Sequence, residues 1–584
     1  MKLVQRKLTG KISKQAVASP LLQRIFSARD IDHADELSHE LKDLHPISQL
    51  KDIHKAVDVL IEAFKNKANI VIIGDFDADG ATATTVAVKS LRMMGFPNVH
   101  YLVPNRFEYG YGLTPEIVDQ AQRFQPDLII TVDNGISSIE GVERAKALNC
   151  RVIITDHHLP AKNLPNADAI INPNQPDCSF PSKNLAGVGV IFYLMLALKN
   201  QLQQQGYFQQ QKIALPNLSS LLDLVALGTV ADVVPLDKNN RILVEQGLRR
   251  MRSQQCCVGI QALFQIAGRN IHNAVSSDLG FSCGPRLNAA GRLEDMSIGI
   301  EALLENDYQQ ALERAITLDN LNRQRREIEN NMKGEALKLL EQEFSSLDSD
   351  LATEKQLPVI FCLYKNNWHQ GVIGILAARI RERYHRPAII FASADKNIIK
   401  GSARSISGLH IRDILDSVAT QNPQLIDKFG GHAMAAGLSL SEKKLPQFIN
   451  AITKVIHQQV DKTVFQEKLF TDGALKSNEF NLNNANQIRF ATPWGQHFPA
   501  PVFDNQFKII QKKILKNAHI KLVLHLVDNK KQIATSINAI AFNVNLEEWP
   551  EQGTLVHLLY RLDVNEFRGI KSTQLMIERL LSPV

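Results

Sequence analysis

Residues 70–80 read Ile-Val-Ile-Ile-Gly-Asp-Phe-Asp-Ala-Asp-Gly, an order that few folds accommodate. Ile70 to Ile73 form a continuous β-branched run, the pattern of a strand covered on both faces. The run ends at Gly74, and Asp75, Asp77 and Asp79 follow at alternate positions. Carboxylates this close repel one another unless a cation neutralises them. The carboxyl edge of a parallel sheet is also where open α/β folds bind ligands. The stretch therefore predicts a buried strand that delivers oxygen ligands to hard divalent cations.

The flanking sequence supports a sheet around that strand. A helix ending over Leu60–Phe64 feeds it. A helix over Gly80–Met94, a strand over Val99–Val103 and a helix over Thr114–Phe124 follow, the last with Thr114 as cap and Pro115 at its first position. Next come a strand over Leu128–Val132, a helix over Ser137–Leu148 and a strand over Arg151–Thr155. This alternation predicts a mostly parallel sheet with helices on both faces. The third strand ends in VDNG, which gives Asp133, and the fourth in TDHH, which gives Asp156, His157 and His158. A lone Asp after a strand is usually a turn former or cap. Recurrence at equivalent strand ends points instead to a metal site. Asp232 lies within the apolar LLDLVALGTVADVVPL and must be paired, hydrogen-bonded or metal-bound. A capping aspartate is the alternative. Arg106, just past the second strand, is either a phosphate contact or a surface arginine in a glycine-tyrosine loop.

The remaining chain is read more coarsely. Residues 1–45 predict a helical lead-in packed on the first domain. INPNQPDCSFP predicts a turn-rich loop, Gly187–Leu198 a buried helix, and residues 201–217 a surface loop or frayed helix end. Leu318–Phe344 predicts a long connecting helix, with Arg323, Arg325 and Arg326 offset by Glu327 and Glu329. Residues 281–295 place Arg286 and Arg292 among glycines, either for close approach to a ligand or as a structural loop. A second α/β unit begins near Leu357. Its loops GSARSISGLHI and GGHAMAAG, with Ser402, Arg404 and His432, suit phosphate. After about residue 460 the helix-strand alternation gives way to short alternating runs. These predict an antiparallel barrel of about five strands, with an OB fold as the natural candidate. Lys508, Lys512, Lys513 and Lys516 near Phe503 and Phe507 suggest a basic groove with stacking rings, or a lysine-edged barrel that only packs on its neighbours.

Composition narrows the class. A chain of 584 residues should form about three or four domains. A net charge of +6 permits a nucleic-acid partner without demanding one. Six cysteines without a CxxC pair fit a reducing, cytoplasmic compartment. Neither a signal peptide nor the roughly 18-residue apolar run of a membrane span is read. The absence of a Walker A sequence argues against a P-loop ATPase. So many carboxylates with imidazole suit two Mn²⁺ or Mg²⁺ ions sharing a carboxylate, and imidazole somewhat favours Mn²⁺. Such a pair suits hydrolysis of a phosphodiester or phosphoanhydride.

GDFDADG, VDNGIS and TDHH resemble the successive signatures of the DHH phosphoesterase superfamily, and HQGVIGILAARI, GSARSI and GGHAMAAG resemble its DHHA1 domain. GTVADVVPL, GPRLNAAGR, the length and the terminal barrel resemble its bacterial branch of single-strand-specific DNA exonucleases. The resemblance implies degradation from the 5′ end with release of 5′-mononucleotides. It implies a multidomain α/β chain: a lead-in over 1–45, a DHH catalytic domain over 46–240, a helical connector over 241–350, a DHHA1 domain over 351–460 and an OB barrel over 461–584. Asp77 and Asp133 would hold one ion, and Asp79, Asp133, His157 and Asp232 the other. Asp75 would complete the acidic cluster, Asp156 would orient the imidazoles, and His158 would meet the scissile phosphate. Arg286, Ser402 and Arg404 resemble the residues that hold the 5′-terminal phosphate, with His369 and His432 against the backbone. The implied partners are single-stranded DNA, a single-strand binding protein, a RecQ-type helicase, and recombination and mismatch-repair factors. Two departures stand out. Ile73 occupies a position where smaller members carry histidine, and ATPWGQHFPAP lacks the expected GNP turn. The same catalytic residues would also fit a pyrophosphatase, an oligoribonuclease or a cyclic-dinucleotide phosphodiesterase. An inactive replication scaffold is the non-enzymatic alternative.

Overall fold

A computed structural model of the chain describes all residues except 1, 14, 16, 105–111, 346–356, 395–396, 517, 529–530 and 584. The expectation for Arg106 lies outside the described residues. The chain divides into two compact units, one of Met1–Val4 with Asn320–Leu469, the other of Gln5–Asp319 with Phe470–Val584. Among the described residues, no helix is long and apolar enough to cross a membrane.

The larger unit contains the parallel sheet. Its strands are β1 (Ile70–Ile73), β2 (Val99–Leu102), β3 (Leu128–Val132), β4 (Arg151–Thr155) and β5 (Ala169–Ile171), in the order β2-β1-β3-β4-β5. Every pairing is parallel. All four residues of β1 are fully buried, as the unbroken apolar run requires. From β1 the chain builds outward one way to β2 and then the other way through β3, β4 and β5. The winding therefore reverses between β1 and β3, and a crevice opens at their carboxyl ends. β5 was not predicted; it ends at Ile171, where the expected INPNQ loop begins. Three residues are too few to show a period.

Helix α1 (Ala78–Met93) begins two residues earlier than expected. Asp77 caps it by accepting from the N–H groups of Asp79 at 2.9 Å and Gly80 at 3.0 Å. α2 (Gly187–Gln204) extends past its expected end into the glutamine-rich stretch, and α3 (Leu222–Ala231) ends on Asp232. Residues 281–295, read either as a ligand-approach segment or as a structural loop, fall mostly in a five-residue π-turn, Leu279–Cys283, that runs into α4 (Gly284–Leu293). The glycines there serve helix packing. A Cβ on Gly291 would lie 1.8 Å from the carbonyl oxygen of Phe76.

The same unit carries a closed barrel of β11 (Phe503–Leu515), β12 (His519–Asp528), β13 (Lys531–Ala541), β14 (Leu555–Phe567) and β15 (Ile570–Pro583). β13 and β15 pair in parallel; the remaining neighbours are antiparallel. Phe503 and Phe507 are fully buried in its core with Tyr560 and Leu522, which corrects their expected role as stacking rings. They share the inward face of β11 with Ile509. Lys512 is also committed: its ammonium donates to the Trp549 carbonyl and to Glu551, each at 2.9 Å. Lys508 is half-buried, and Lys513 and Lys516 are exposed.

The amino-terminal segment is less helical than expected and packs against the barrel. A single eight-residue helix, Pro20–Ser27, places Leu21 and Ile25 in the barrel core. Arg29 meets Asp472 in a buried ion pair at 2.8 Å and donates to the Pro499 carbonyl at 2.9 Å. Trp494 stacks between Phe26 and Phe498, and the Arg241 guanidinium lies 4.1 Å from the Phe498 ring centre. Removing one member of a buried pair strands the other charge. Arg29→Ala should therefore cost about 3–5 kcal/mol of stability, and Arg29→Met with Asp472→Leu distinctly less than the sum of the single changes. Urea unfolding of Arg29→Ala, of the two single changes Arg29→Met and Asp472→Leu, and of their double checks this.

The smaller unit holds a mixed sheet of β6 (Phe361–Lys365), β7 (Ala388–Ser393), β8 (Ile398–Arg404), β9 (Lys428–Gly431) and β10 (Ala435–Ser441), in the order β9-β10-β8-β7-β6. GSAR and most of GGHAMAAG are thus strands, where phosphate-cradling loops were expected. Gly401 is needed inside β8 because a Cβ would lie 2.6 Å from the Phe391 ring and 2.7 Å from Leu438. Within the hairpin the His432 N–H is committed to the Ala435 carbonyl at 2.8 Å, where a phosphate-binding loop was expected.

Candidate metal centre

Three turns at the β1–β3 reversal, with the end of α3, bring the predicted ligands together. Asp75, Asp77 and Asp133 offer atoms within 4.8 Å of one another, as do Asp79, His157 and Asp232, and also Asp133, His157 and His158. Asp133 and His157 each belong to two of these sets. His157 Nε2 lies 3.1 Å from Asp133 Oδ1 and 3.6 Å from Asp232 Oδ2.

Local structure accounts for each position. Asp133 has φ +63°, in the left-handed region that Asp and Asn tolerate better than most residues. Its N–H donates to the Thr155 carbonyl at 3.0 Å, which fixes the turn to β4. Asn134 then donates to the carbonyls of Ile73 at 3.1 Å and Val132 at 2.9 Å, tying β1 to β3 at the crevice. Asp79 accepts from the N–H groups of Gly187 at 2.6 Å and Val188 at 2.9 Å, at the amino end of α2. Asp156 binds its own turn. One oxygen accepts from Ile136 N–H, and the other from the N–H groups of His157 and His158 and from His158 Nδ1 at 2.7 Å.

The electrostatics are those of crowded buried acids. Burial, then the charge of Asp232, raises the Asp79 carboxyl to about 7. Burial, then Asp77, raises Asp232 to about 8. Asp133 is pushed up by burial and then by Asp79, Asp77 and Asp75. Burial and the neighbouring His158 lower His157, which leaves a neutral imidazole with a lone pair to offer. Burial opposes charge on His158 as well, but its hydrogen bond to Asp156 outweighs that and raises it to about 9. Burial alone would raise Asp156; the His158 hydrogen bond and charge lead the opposing effects that hold it below the usual carboxylate range. Five acids that repel one another beside a neutral imidazole are a donor set that divalent cations satisfy.

Several supporting residues lie outside the expected set. Asn172 and Asn174 donate to the carbonyls of His158 at 2.9 Å and His157 at 2.6 Å, holding the TDHH turn from the loop after β5. Asn288 of α4 accepts from Ala78 N–H at 2.8 Å, at the start of α1. Gly187 and Gly228 permit close approach: a Cβ on the first would lie 2.6 Å from Asp133 Oδ1, and one on the second 2.8 Å from Asp79 Oδ1. The INPN turn was a signal for the asparagines. Nothing local marks the glycines.

Other predicted residues are placed differently. Arg286 is buried, with its guanidinium on Asp319 at 2.8 Å and on the Ser282 carbonyl at 2.7 Å. That commits it within its own unit, where a free phosphate contact was expected. Ser402 and Arg404 lie in the smaller unit on one face of β8, with Arg404 Nη1 donating to Ser402 Oγ at 3.2 Å. Gly374 faces them closely enough that a Cβ would lie 2.9 Å from both side chains. His369 is in the same unit, where its Nδ1 accepts from Gly371 N–H at 3.1 Å.

The fold and site together define a DHH-type phosphoesterase. A model of the DHH family, N-terminal domain, matches residues 69–229, a DHHA1 domain model residues 356–458, and a RecJ OB domain model residues 471–579. The chain is 49% identical over 581 residues to the single-stranded-DNA-specific exonuclease RecJ of Escherichia coli (strain K12), covering 99% of each. It is 31% identical over 576 residues to that of Bacillus subtilis (strain 168), covering 97% of this chain and 68% of the relative. Among solved structures, RecJ in complex with Mn²⁺ from Thermus thermophilus is similar with a TM-score of 0.79 and 25% identity, covering 100% of this chain and 79% of that one. The chain belongs to the RecJ family.

Proposed function

We propose that the protein is a single-strand-specific DNA exonuclease that works from the 5′ end and releases 5′-mononucleotides, using two Mn²⁺ or Mg²⁺ ions. The observation that carries this is the overlap of the ligand sets at Asp133 and His157 in a chain alike along its full length to an exonuclease. Asp77 and Asp133 would hold one ion, and Asp79, Asp133, His157 and Asp232 the other, with Asp75 adding charge. When bound, such ions supply Lewis acidity and an acidified water for in-line displacement at phosphorus. The protein's own residues do the positioning. Asp156 holds the His158 ring and favours its protonated form, which suits contact with the scissile phosphate. Asn172 and Asn174 keep that turn in place. Ser402 and Arg404 present a hydroxyl and a guanidinium on one strand face, suited to the 5′-terminal phosphate.

The barrel offers a groove of about 230 Å³ lined by Lys521, Asn538, Asn565, Ile570, Ser572 and Gln574. We place the distal strand there, in contact through its backbone and bases without sequence readout. We also place the enzyme in the cytoplasm.

A long single strand labelled at its 5′ end tests the reading, with Mn²⁺ or Mg²⁺ and an EDTA control. The label should appear at once as a mononucleotide, and matched duplex should persist. Release as a dinucleotide, or only after the 3′ end is consumed, would sink the polarity. For the barrel, Lys521→Glu should weaken binding of all single strands alike and reduce the salt slope by about one. An unchanged slope would place the strand elsewhere.

A further inference from the structure

Two exposed apolar residues lie at the end of α3 that carries the candidate ligand Asp232 and on the turn packed against it. Val233 follows Asp232, is 61% exposed and has φ +62°. A β-branched residue in the left-handed region is an outlier. The position directly after a helix cap is where chains ordinarily use glycine. This chain keeps a valine there, with its side chain in solvent beside a candidate ligand.

Phe281 is 76% exposed and lies on the π-turn Leu279–Cys283. Such turns are rare and concentrate at functional sites. This one is pinned to the site. A Cβ on Gly280 would lie 3.3 Å from Val230, and one on Gly284 3.1 Å from Ala231. The turn bearing Phe281 is therefore packed on the last turn of α3, which ends at Asp232 and Val233. At its other end, α4 is locked to the first metal loop through Asn288 and Gly291. Phosphate gains nothing from an exposed phenyl ring, whereas a nucleobase does.

We propose that Phe281 and Val233 form a nucleobase slot beside the metal centre, with the base stacked on the Phe281 ring and the Val233 methyls against its edge or sugar. The inference rests on the exonuclease reading and adds the residues that would seat the base next to the cleaved phosphate. Every base has a π face, so the slot is tolerant of sequence.

Phe281→Ala should lower kcat/KM on an unmodified single strand by about tenfold, the usual worth of one stacked base. An abasic residue scanned through the first nucleotides should cost the wild type a similar factor at one position and cost Phe281→Ala nothing further there. Phe281→Trp should restore the rate. Val233→Gly separates contact from structure: its melting temperature should hold or rise as the strain goes, while kcat/KM falls severalfold. Wild-type rates in Phe281→Ala, or losses that multiply with the abasic loss at every position, would overturn the slot. Should the wild type fail to cut the unmodified strand, the exonuclease reading fails, and binding still decides the slot. A strand carrying 2-aminopurine is bound to Asp133→Asn with and without Phe281→Ala. Quenching that disappears with the ring supports the slot; equal quenching rejects it.

Discussion

Asp133→Asn should abolish strand degradation, lowering kcat/KM by about a thousandfold or more, because the side chain common to two ligand sets loses its charge. The fold should persist. Asn tolerates the left-handed backbone that Asp133 adopts, and the shape of the side chain is unchanged. Stability should move the opposite way to activity. Asp79 and Asp232 titrate at about 7 and about 8 in the folded protein, and Asp133 is raised too. A carboxyl raised on folding contributes stability that is complete below its unfolded value of about 4 and lost as pH rises through the folded one. Without metal, the wild type should therefore melt lower at pH 8 than at pH 6 through these groups, and Asp133→Asn should reduce that loss. Added Mn²⁺ should raise the melting temperature more at pH 8, because binding displaces protons. A variant melting several degrees below the wild type in EDTA at pH 8 would show that Asp133 holds the fold instead.

The second large effect concerns a residue with no side chain. Gly187→Ala would place a methyl 2.5 Å from Asp133 Cβ and 2.8 Å from its Cα, and backbone cannot swing aside. The amino end of α2 would have to withdraw, breaking the hydrogen bonds from Gly187 and Val188 to Asp79. About 2–4 kcal/mol of stability should go with them, and activity should fall about a hundredfold or more as both carboxylates shift. Gly189→Ala is the control. Its nearest neighbour, 3.1 Å away, is a flexible Leu185 methyl, so the change should be mild. Melting curves and initial rates on single-stranded DNA separate the two variants; equal behaviour would refute the packing argument.

The parts of the site that were legible share a local cause. A buried strand shows as an apolar run, and the acids and imidazoles follow within a few residues, so Asp75, Asp77, Asp79, Asp133, Asp156, His157 and His158 were all visible. Asp232 stood out as a charge in an apolar segment. Strand order was hidden, because β2-β1-β3-β4-β5 depends on crossovers that no window contains. β8 and β9 were misread because glycine signals loops, yet Gly401 is in a strand to make room for Phe391. Phe503 and Phe507 were misplaced for a different reason. Their shared parity with Ile509 marks them as inward, but four neighbouring lysines mask that alternation. Gly187 was silent because its role depends on a neighbour 54 positions earlier in the chain.

The ion pair between Arg29 and Asp472 joins residues 443 positions apart. A ribosome adding about 5–20 residues per second makes Arg29 roughly 20–90 s before its partner exists. Throughout that interval the amino-terminal helix has no barrel core for Leu21 and Ile25 to enter. A segment made early is therefore among the last to find its place. A nascent chain stalled short of the barrel should expose that helix to protease, and chaperones that hold emerging apolar segments have their longest opportunity there.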